Sequence, residues 1–202
     1  MRAGVGISME LDRAIEGRRA YRSLAPVGIP DSVVEDLART AQLAPSCFNN
    51  QPWRFVFIRD PAVLERVFSC LTPGNKWARS ASMVVAVFSK EELDCVVEER
   101  KYFLFDTGMA TAFMMLKATE HGLVAHPIAG FDEKGLKDVL RIREAMTLIA
   151  LIVVGRHSAI VSPALSQSQA RSEMKRPERK PLGEFVYFDV AEPRKPSTSG
   201  PS

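Results

Sequence analysis

The chain is short of cysteine, of excess charge and of long apolar runs, and each shortage excludes a class of protein. Its three cysteines, Cys47, Cys70 and Cys95, are an odd number without the spacing of a metal site. Such a set suits a reducing compartment, so we expect the protein to be cytoplasmic. No run of about 18 apolar residues occurs, so neither a membrane-spanning helix nor a membrane partner is expected. The N-terminal residues lack a basic stretch followed by a long apolar one, and no signal peptide is predicted.

Charge is nearly balanced over the 202 residues, with 27 Lys and Arg against 24 Asp and Glu. The formal net charge of +3 is too small to predict a nucleic-acid partner, although a local basic cluster can still hold a phosphate. A hydrophobic content of 46% with 25% charged residues is typical of an ordinary globular protein. We expect one domain over residues 8–188 and a disordered tail, rich in proline and serine, over residues 189–202.

The sequence also lacks the common nucleotide-binding and catalytic signatures. It has neither the glycine-rich turn of a dinucleotide-binding βαβ unit nor a P-loop. No Ser/His/Asp or Cys/His arrangement indicates a nucleophile beside its base, so no catalytic side chain is predicted. His121 and His126 are five apart with no third ligand nearby, and no metal site is predicted. If the chain binds a phosphate, basic and polar loops must therefore do so through their side chains.

Helical and strand patterns alternate along the chain. Apolar spacing predicts helices over residues 10–17, 31–41, 61–71, 98–122 and 132–140. Apolar, β-branched runs predict strands over residues 54–59, 82–89, 148–154 and, less regularly, 185–188. Residues 126–131 are predicted to form a proline- and glycine-containing loop, and residues 157–175, rich in serine and glutamine, a mobile one.

Residues 44–53, Ala-Pro-Ser-Cys-Phe-Asn-Asn-Gln-Pro-Trp, form an unusual polar segment between a helix and a strand. Pro45 and Pro52 fix two φ angles and remove two backbone donors, which excludes a regular helix or a central strand. Its amides, hydroxyl and tryptophan could hold a planar ligand with polar edges. A capped turn with a packed tryptophan explains the composition equally well. Cys47 could be a reactive thiol, but a space-filling role is favoured.

Two basic clusters lie near the ends of the predicted domain. Residues 18–22 read Arg-Arg-Ala-Tyr-Arg, and residues 176–181 read Arg-Pro-Glu-Arg-Lys-Pro. The planar guanidinium group suits phosphate, whose oxygens accept paired hydrogen bonds. A solvated basic turn is the simpler explanation of either cluster taken alone.

Taken together, these segments resemble the FMN-dependent nitroreductase family. Residues 18–22 are similar to its Arg-Arg-Ser-x-Arg element, and residues 44–53 to its Ala-Pro-Ser-x-x-Asn-x-Gln-Pro-Trp element. The helix running into Pro-Ile-Ala-Gly-Phe, followed by an apolar strand ending in Val-Gly, is similar to the family's second half. Residues 179–182, Arg-Lys-Pro-Leu, resemble its Arg-x-Pro-Leu element. Each motif is weak alone, whereas four in this order are specific.

The resemblance implies an α+β fold in which helices flank a mixed, mainly antiparallel sheet. It also implies an intertwined homodimer with two FMN molecules at the subunit interface, each contacted by both chains. The positions matching the family's N-terminal flavin element are Arg18, Arg19, Ala20 and Arg22. By the same resemblance, Arg18 and Arg179 neutralise the phosphate, while Arg22 and Asn75 reach the pyrimidine edge of the flavin.

Two loops complete the implied site. The partner chain is expected to line the ring and ribityl with Pro45, Ser46, Cys47 and Asn49. The segment implied to stack on the ring comprises Pro127, Ile128, Ala129 and Gly130, with the N–H of Ala129 or Gly130 aimed at flavin N5. The sequence departs from the family at Ala20, where serine is common, and at Ala78, which is basic in some members.

The implied activity is transfer of a hydride from NADH or NADPH, through FMN, to a nitroaromatic, quinone or similar small acceptor in a ping-pong cycle. Two alternatives stay open, namely specialised flavin chemistry such as reductive dehalogenation or ring-fragmenting oxidation of the flavin, and a non-catalytic flavin-binding protein. Residues 90–97, ahead of the long helix, make a short insert, which indicates an open site. The preferred nicotinamide donor and the physiological acceptor are left undetermined by the sequence.

Overall fold

The fold is organised around one long strand. The computed structural model describes residues 10–191, so Ser8, Met9 and residues 192–202 of the predicted domain and tail lie outside the described part. The helices are α1 (Leu11–Gly17), α2 (Asp31–Gln42), α3 (Pro61–Ser69), α4 (Tyr102–Glu120), α5 (Glu133–Leu140) and α6 (Gln167–Met174). The strands are β1 (Leu24–Ala25), β2 (Arg54–Ile58), β3 (Met83–Ser89), β4 (Val96–Val97), β5 (Arg100–Lys101), β6 (Val124–Ile128) and β7 (Thr147–His157).

Strand β7 pairs with three other strands, and all of these pairings are antiparallel. It pairs with β3 through Met83↔Val154, with β6 through Val124↔Gly155, and with β1 through Leu24↔His157. Strand β2 completes the five-stranded sheet by pairing with β3, while β4 and β5 form a separate hairpin. The α+β class predicted from the sequence is confirmed, with antiparallel pairing throughout the described sheet.

Both faces of the sheet are covered by helices. On β3, Val84 and Ala86 face a core that includes α3 and α5, whereas Met83, Val85 and Val87 face a core that includes α2 and α4. This burial on two sides explains why β3 and β7 are apolar along nearly their whole length instead of alternating with polar residues. Among residues 10–191, no helix has both the length and the apolar character needed to cross a membrane.

Three predicted elements differ from the structure. The first residues of the predicted loop over residues 126–131 belong to strand β6. Within the described sheet β6 pairs only with β7, so it is an edge strand, where the missing N–H of Pro127 is tolerated. The predicted mobile loop over residues 157–175 contains α6, whose first turn is closed by a capping box between Ser166 and Gln169. The predicted strand over residues 185–188 is not formed, because no described strand lies beside it.

The predicted helix over residues 98–122 begins later than its pattern indicates. Helix α4 starts at Tyr102, since Val96–Lys101 form the β4–β5 hairpin that precedes it. It ends before Gly122, whose φ of +69° is the left-handed conformation that glycine adopts most readily after a helix. The remaining predicted helices and strands lie where the sequence places them, with shifts of up to three residues at their ends.

Candidate functional site

Five arginines from two distant parts of the chain line one pocket of about 200 Å³. Its lining consists of Arg18, Arg19, Ala20, Arg22, Ser172, Arg176, Pro177 and Arg179. The structure thus brings together the two basic clusters that the sequence analysis singled out. It also adds Arg176, which was noted within the second cluster but not assigned to the site.

The pocket carries uncompensated positive charge. Within residues 10–191, none of its five arginines forms an ion pair with a carboxylate. The pKa of Arg18 lies below its usual value, first because the group is partly buried and then because Arg176 and Arg179 are nearby. Burial and like charge both disfavour the cation, so an anion placed among these groups would be stabilised.

Helix α6 holds the first basic cluster in place through Glu173. This carboxylate is 7% exposed and accepts hydrogen bonds from the backbone N–H groups of Arg22, at 2.7 Å, and Ser23, at 3.0 Å. The Arg19 guanidinium in turn donates to the carbonyls of Ser172 and Glu173, at 2.9 and 3.2 Å. Part of the segment over residues 157–175, which was predicted to be mobile, therefore holds the first basic cluster in place.

The arginines divide into structural and free groups. Arg176 donates to the carbonyls of Glu16 and Arg18, so it braces the chain as Arg19 does. The guanidinium of Arg22 lies over the ring of Trp77, at 5.9 Å from its centroid. Within the described residues, Arg18, Arg22 and Arg179 donate no side-chain hydrogen bond to protein. These three are the groups available to a ligand.

A second group of predicted site residues lies at the turn after α3 and the end of β6, and none of them lines the arginine pocket. Gln169 of α6 donates to the carbonyl of Gly74 at 2.9 Å, and Asn75 donates to the carbonyl of Gly130 at 2.9 Å. A Cβ atom at Gly130 would lie 2.5 Å from Oγ1 of Thr72 and 2.7 Å from Nδ2 of Asn75, so a larger residue would displace these two side chains. Two predicted site residues, Asn75 and Gly130, are thereby brought into contact.

The other predicted residues at the end of β6 differ in accessibility. The side chain of Ile128 is buried in the core, so only its backbone can contribute to a site. Pro127 and Ala129 are exposed. The strand is joined to the arginine cluster by His126, whose Nδ1 lies 3.0 Å from the carbonyl oxygen of Tyr21.

The polar loop before β2 lies apart from the arginine pocket. Its predicted site residues, Pro45, Ser46, Cys47 and Asn49, contribute no side chain to the pocket lining. Within residues 10–191, no hydrogen bond joins this loop to the five arginines. The loop is held instead by its own contacts, including a hydrogen bond from the Gln51 N–H to the Ser46 hydroxyl at 3.0 Å.

Cys47 is neither a free thiol nor a simple space-filler, in contrast to both interpretations of the sequence. It forms a disulfide with Cys95, 48 residues away, while Cys70 is free. All three cysteines suit a reducing compartment by their number and spacing, whereas in the structure two of them form a disulfide. The spacing of the cysteines held no signal, because only the fold brings the loop before β2 to the insert that precedes α4.

His126 lies beneath the arginine cluster and is 6% exposed. Burial lowers its pKa from 6.5 to about 4, and the nearby charges of Arg22 and Arg18 act in the same direction. The Tyr21 carbonyl and Glu173 oppose this effect without reversing it. At neutral pH the ring is therefore uncharged, and Nδ1 carries the hydrogen that it donates to the carbonyl of Tyr21.

Sequence reasoning missed Glu173, Gln169 and His126 as parts of this site. The Ser-x-x-Gln pattern at residues 166–169 is a helix-start signal that could have revealed α6. Nothing in the sequence marks Glu173 among the other acidic residues, since its role depends on burial. His126 was considered only as a metal ligand.

Comparison with known proteins gives a consistent result. The nitroreductase family model matches residues 15–72 and 69–156. A Bacillus subtilis (strain 168) protein with the provisional name NAD(P)H nitroreductase YdgI is 24% identical over 179 residues, covering 70% of this chain and 86% of that protein. The iodotyrosine deiodinase of Danio rerio is 31% identical over 87 residues, covering 38% of this chain and 30% of that protein. A solved structure described as an oxidoreductase containing FMN matches with a TM-score of 0.78 and 23% identity, covering 96% of each chain.

The neutral state of His126 predicts a loss of stability in mild acid. Its folded pKa is depressed, so the unfolded chain binds a proton below pH 6.5 while the folded chain resists it down to about pH 4. This contribution is complete above pH 6.5 and falls as the pH drops towards 4, by up to about 3 kcal/mol. Chemical unfolding at neutral pH and near pH 4.5 measures the difference.

The matched variant is His126→Gln, because a glutamine amide can still donate to the Tyr21 carbonyl but does not titrate. We expect the free energy of unfolding to depend less steeply on pH in this variant than in the wild type. Equal slopes for the two proteins between pH 6.5 and 4 would contradict the assignment of a depressed pKa to His126.

Proposed function

The chain belongs to the nitroreductase family, and from this premise we propose that it is an FMN-dependent oxidoreductase. In this proposal it takes a hydride from NADH or NADPH and passes the electrons to a nitroaromatic, quinone or similar small acceptor. The donor leaves before the acceptor binds, so the cycle is ping-pong. The observation that carries the proposal is the pocket of five arginines without a paired carboxylate.

The residues present fit an FMN phosphate. Arg18, Arg22 and Arg179 have guanidinium groups that are not engaged by protein acceptors. Burial and then the nearby Arg176 and Arg179 lower the pKa of Arg18, and a phosphate dianion would offset both effects. Glycine at position 130 lets the end of β6 approach the side chains of Thr72 and Asn75 closely. We assign Arg18 and Arg179 to the phosphate, and Arg22 and Asn75 to the pyrimidine edge.

When bound, FMN supplies the ring that accepts a hydride and releases electrons to the second substrate. Arg22 contributes a fixed positive charge, which favours a ligand that becomes more negative on reduction. The N–H of Ala129 or Gly130 is assigned to orient the reacting edge of the ring. Glu173 is a positioning residue, because it holds the backbone N–H of Arg22 and so fixes the position of the Arg22 guanidinium.

We further propose that the active form is a homodimer. The outer face of α4 exposes apolar and small residues at helical spacing, namely Leu104, Phe105, Gly108, Ala112 and Phe113. Apolar side chains are also exposed at Leu182, Phe185 and Val190. Contiguous apolar surface of this kind is typical of a protein interface. A second copy would supply the loop of Pro45, Ser46, Cys47 and Asn49, which one chain does not bring to its own arginine pocket.

Reductive dehalogenation is the second candidate function. It is supported by the similarity to iodotyrosine deiodinase, which is 31% identical to this chain over 87 residues. The nitroreductase relative is 24% identical over a longer match of 179 residues. The matched stretch covers 30% of that protein, so it supports a related flavin chemistry more than a shared substrate.

The phosphate assignment predicts weaker FMN binding when either free arginine is removed. Arg18→Ala and Arg179→Ala should each lose a charge-assisted contact of about 2 kcal/mol, or roughly 30-fold in the dissociation constant for FMN. Flavin fluorescence titration measures this constant. Arg66→Ala is the matched control, since Arg66 is exposed on α3 and does not line the pocket. Unchanged FMN affinity in both pocket variants would overturn the assignment.

The dimer proposal predicts that a charge on the outer face of α4 separates the subunits. Phe105 is 64% exposed. In a Phe105→Glu variant, sedimentation should show the dimer dissociation constant raised by at least about tenfold, in favour of the monomer. Ala62→Glu is the control, because α3 lies on the opposite face of the sheet. A wild-type protein that sediments as a monomer at every concentration and in the presence of FMN would refute the dimer.

Substrate class is tested by spectra and steady-state kinetics. Anaerobic addition of NADH or NADPH should bleach the flavin absorption, and the faster donor is the preferred one. A panel of nitroaromatics, quinones and halogenated phenols then separates the two functions. Rapid turnover of nitroaromatics and quinones is expected, whereas turnover confined to halogenated phenols would favour dehalogenation. A bound flavin that neither donor reduces would indicate a non-catalytic flavin-binding protein.

A further inference from the structure

The disulfide between Cys47 and Cys95 lies beside the carboxylate of Asp94. The two sulfur atoms and one carboxylate oxygen of Asp94 all lie within 4.8 Å of one another. Cys47 follows α2, whereas Asp94 and Cys95 belong to the insert between β3 and α4. The proposed oxidoreductase function places Cys47 in the loop supplied to the partner's pocket, but it assigns no role to the bond between Cys47 and Cys95 or to Asp94.

The Asp94 carboxylate is only partly satisfied by the protein. Its Oδ1 accepts a hydrogen bond from Nδ2 of Asn50 at 3.3 Å. Its Oδ2 is buried and receives no N–H group among the described residues. The Asp94 carboxylate instead lies within hydrogen-bonding reach of the Asp106 carboxyl group. Two neighbouring carboxyl groups are costly to ionise together, and a bound cation lowers that cost.

The sulfur atoms are held together by contacts that do not depend on the covalent bond between them. The backbone N–H of Cys47 donates to Asp106 at 2.7 Å, and Asp106 is itself buried in α4. Nδ2 of Asn50 lies 3.4 Å from Sγ of Cys95 and so bridges the two segments. Reduction of the disulfide would therefore leave two thiols beside Asp94 on a braced framework.

We propose that the reduced protein binds a zinc-like divalent cation through Cys47, Cys95 and Asp94, and that the disulfide is the metal-free, oxidised form of this site. Two thiolates and one carboxylate are ligands typical of Zn²⁺, and the soft sulfur atoms disfavour Mg²⁺ and Ca²⁺. Three protein ligands leave a fourth position for water. Asn50 then donates to both a ligand sulfur and a ligand carboxylate, as outer-shell groups of metal sites do.

The two forms interconvert with balanced protons and electrons. Binding of the cation to the reduced site releases two protons, one from each thiol. Oxidation by a low-molecular-weight disulfide forms the bond between Cys47 and Cys95, and the two electrons, with two protons taken up from water, reduce that small disulfide to two thiols. The cation is released in the same reaction. In either form the loop before β2 stays joined to the insert before α4.

Cobalt binding tests the site directly and does not require bound FMN. The full-length protein is reduced with a phosphine, desalted without oxygen and titrated with Co²⁺, whose charge-transfer bands report thiolate ligands. We expect one Co²⁺ per chain, displaced by Zn²⁺, and no binding to the untreated disulfide form. Cys95→Ser should abolish the bands, and Asp94→Asn should weaken binding by about tenfold or more. Cys70→Ser is the matched control, because Cys70 lies outside the pair.

Protection from alkylation gives a test that needs no variant. Zn²⁺ should slow labelling of Cys47 and Cys95 in the reduced wild type, while labelling of Cys70 is unchanged. If reduced wild type shows neither thiolate–cobalt bands nor zinc protection, the pair is a structural disulfide only and the proposal fails. Equal Co²⁺ affinity of wild type and a folded Asp94→Asn variant would remove Asp94 from the ligand set and overturn the site as proposed. Neither result bears on FMN binding.

Discussion

The arginine pocket depends on the buried carboxylate of Glu173. Five guanidinium groups repel one another, so their positions must be imposed by the backbone and cannot result from attraction between the side chains. Glu173 imposes them by accepting the N–H groups of Arg22 and Ser23, while the adjacent carbonyls engage Arg19. The hydrogen bonds satisfy a carboxylate that would otherwise be costly to bury. The same contact therefore stabilises α6 and keeps the cluster assembled.

The sheet also contacts the segment that carries the first basic cluster. Strand β7 carries β6 along one edge, and β6 places His126 against Tyr21 and the ring of Trp77. Because the imidazole is uncharged at neutral pH, it adds no positive charge beneath the cluster. A hydrogen bond joins the turn at Asn75 to Gly130 at the end of β6, outside the lining of the arginine pocket. His126 thus links the packing of the sheet to the segment that carries the first basic cluster.

One chain assembles only part of the site that the family resemblance implies. The loop containing Cys47 is tied to the insert before α4 by the disulfide and by Asn50, on a different part of the surface from the arginines. The exposed apolar face of α4 lies on the same helix as Asp106, which holds that loop. In the proposed dimer, an interface along α4 would therefore position the loop of one subunit at the pocket of the other.

The sequence by itself determined the fold class, most helices and strands, and the identity of the arginines, because these follow from apolar spacing and from the charges that local motifs display. The structure brought Arg18, Arg22 and Arg179 into one pocket as the order of the motifs indicated. Only the tertiary structure decided the roles of Glu173, His126 and the Cys47–Cys95 pair. Each role arises from burial or from contact between residues far apart in the chain, and a one-dimensional pattern records neither. The same reason explains the error at residues 157–175, where α6 is stabilised by polar contacts with distant segments and not by an apolar stripe of its own.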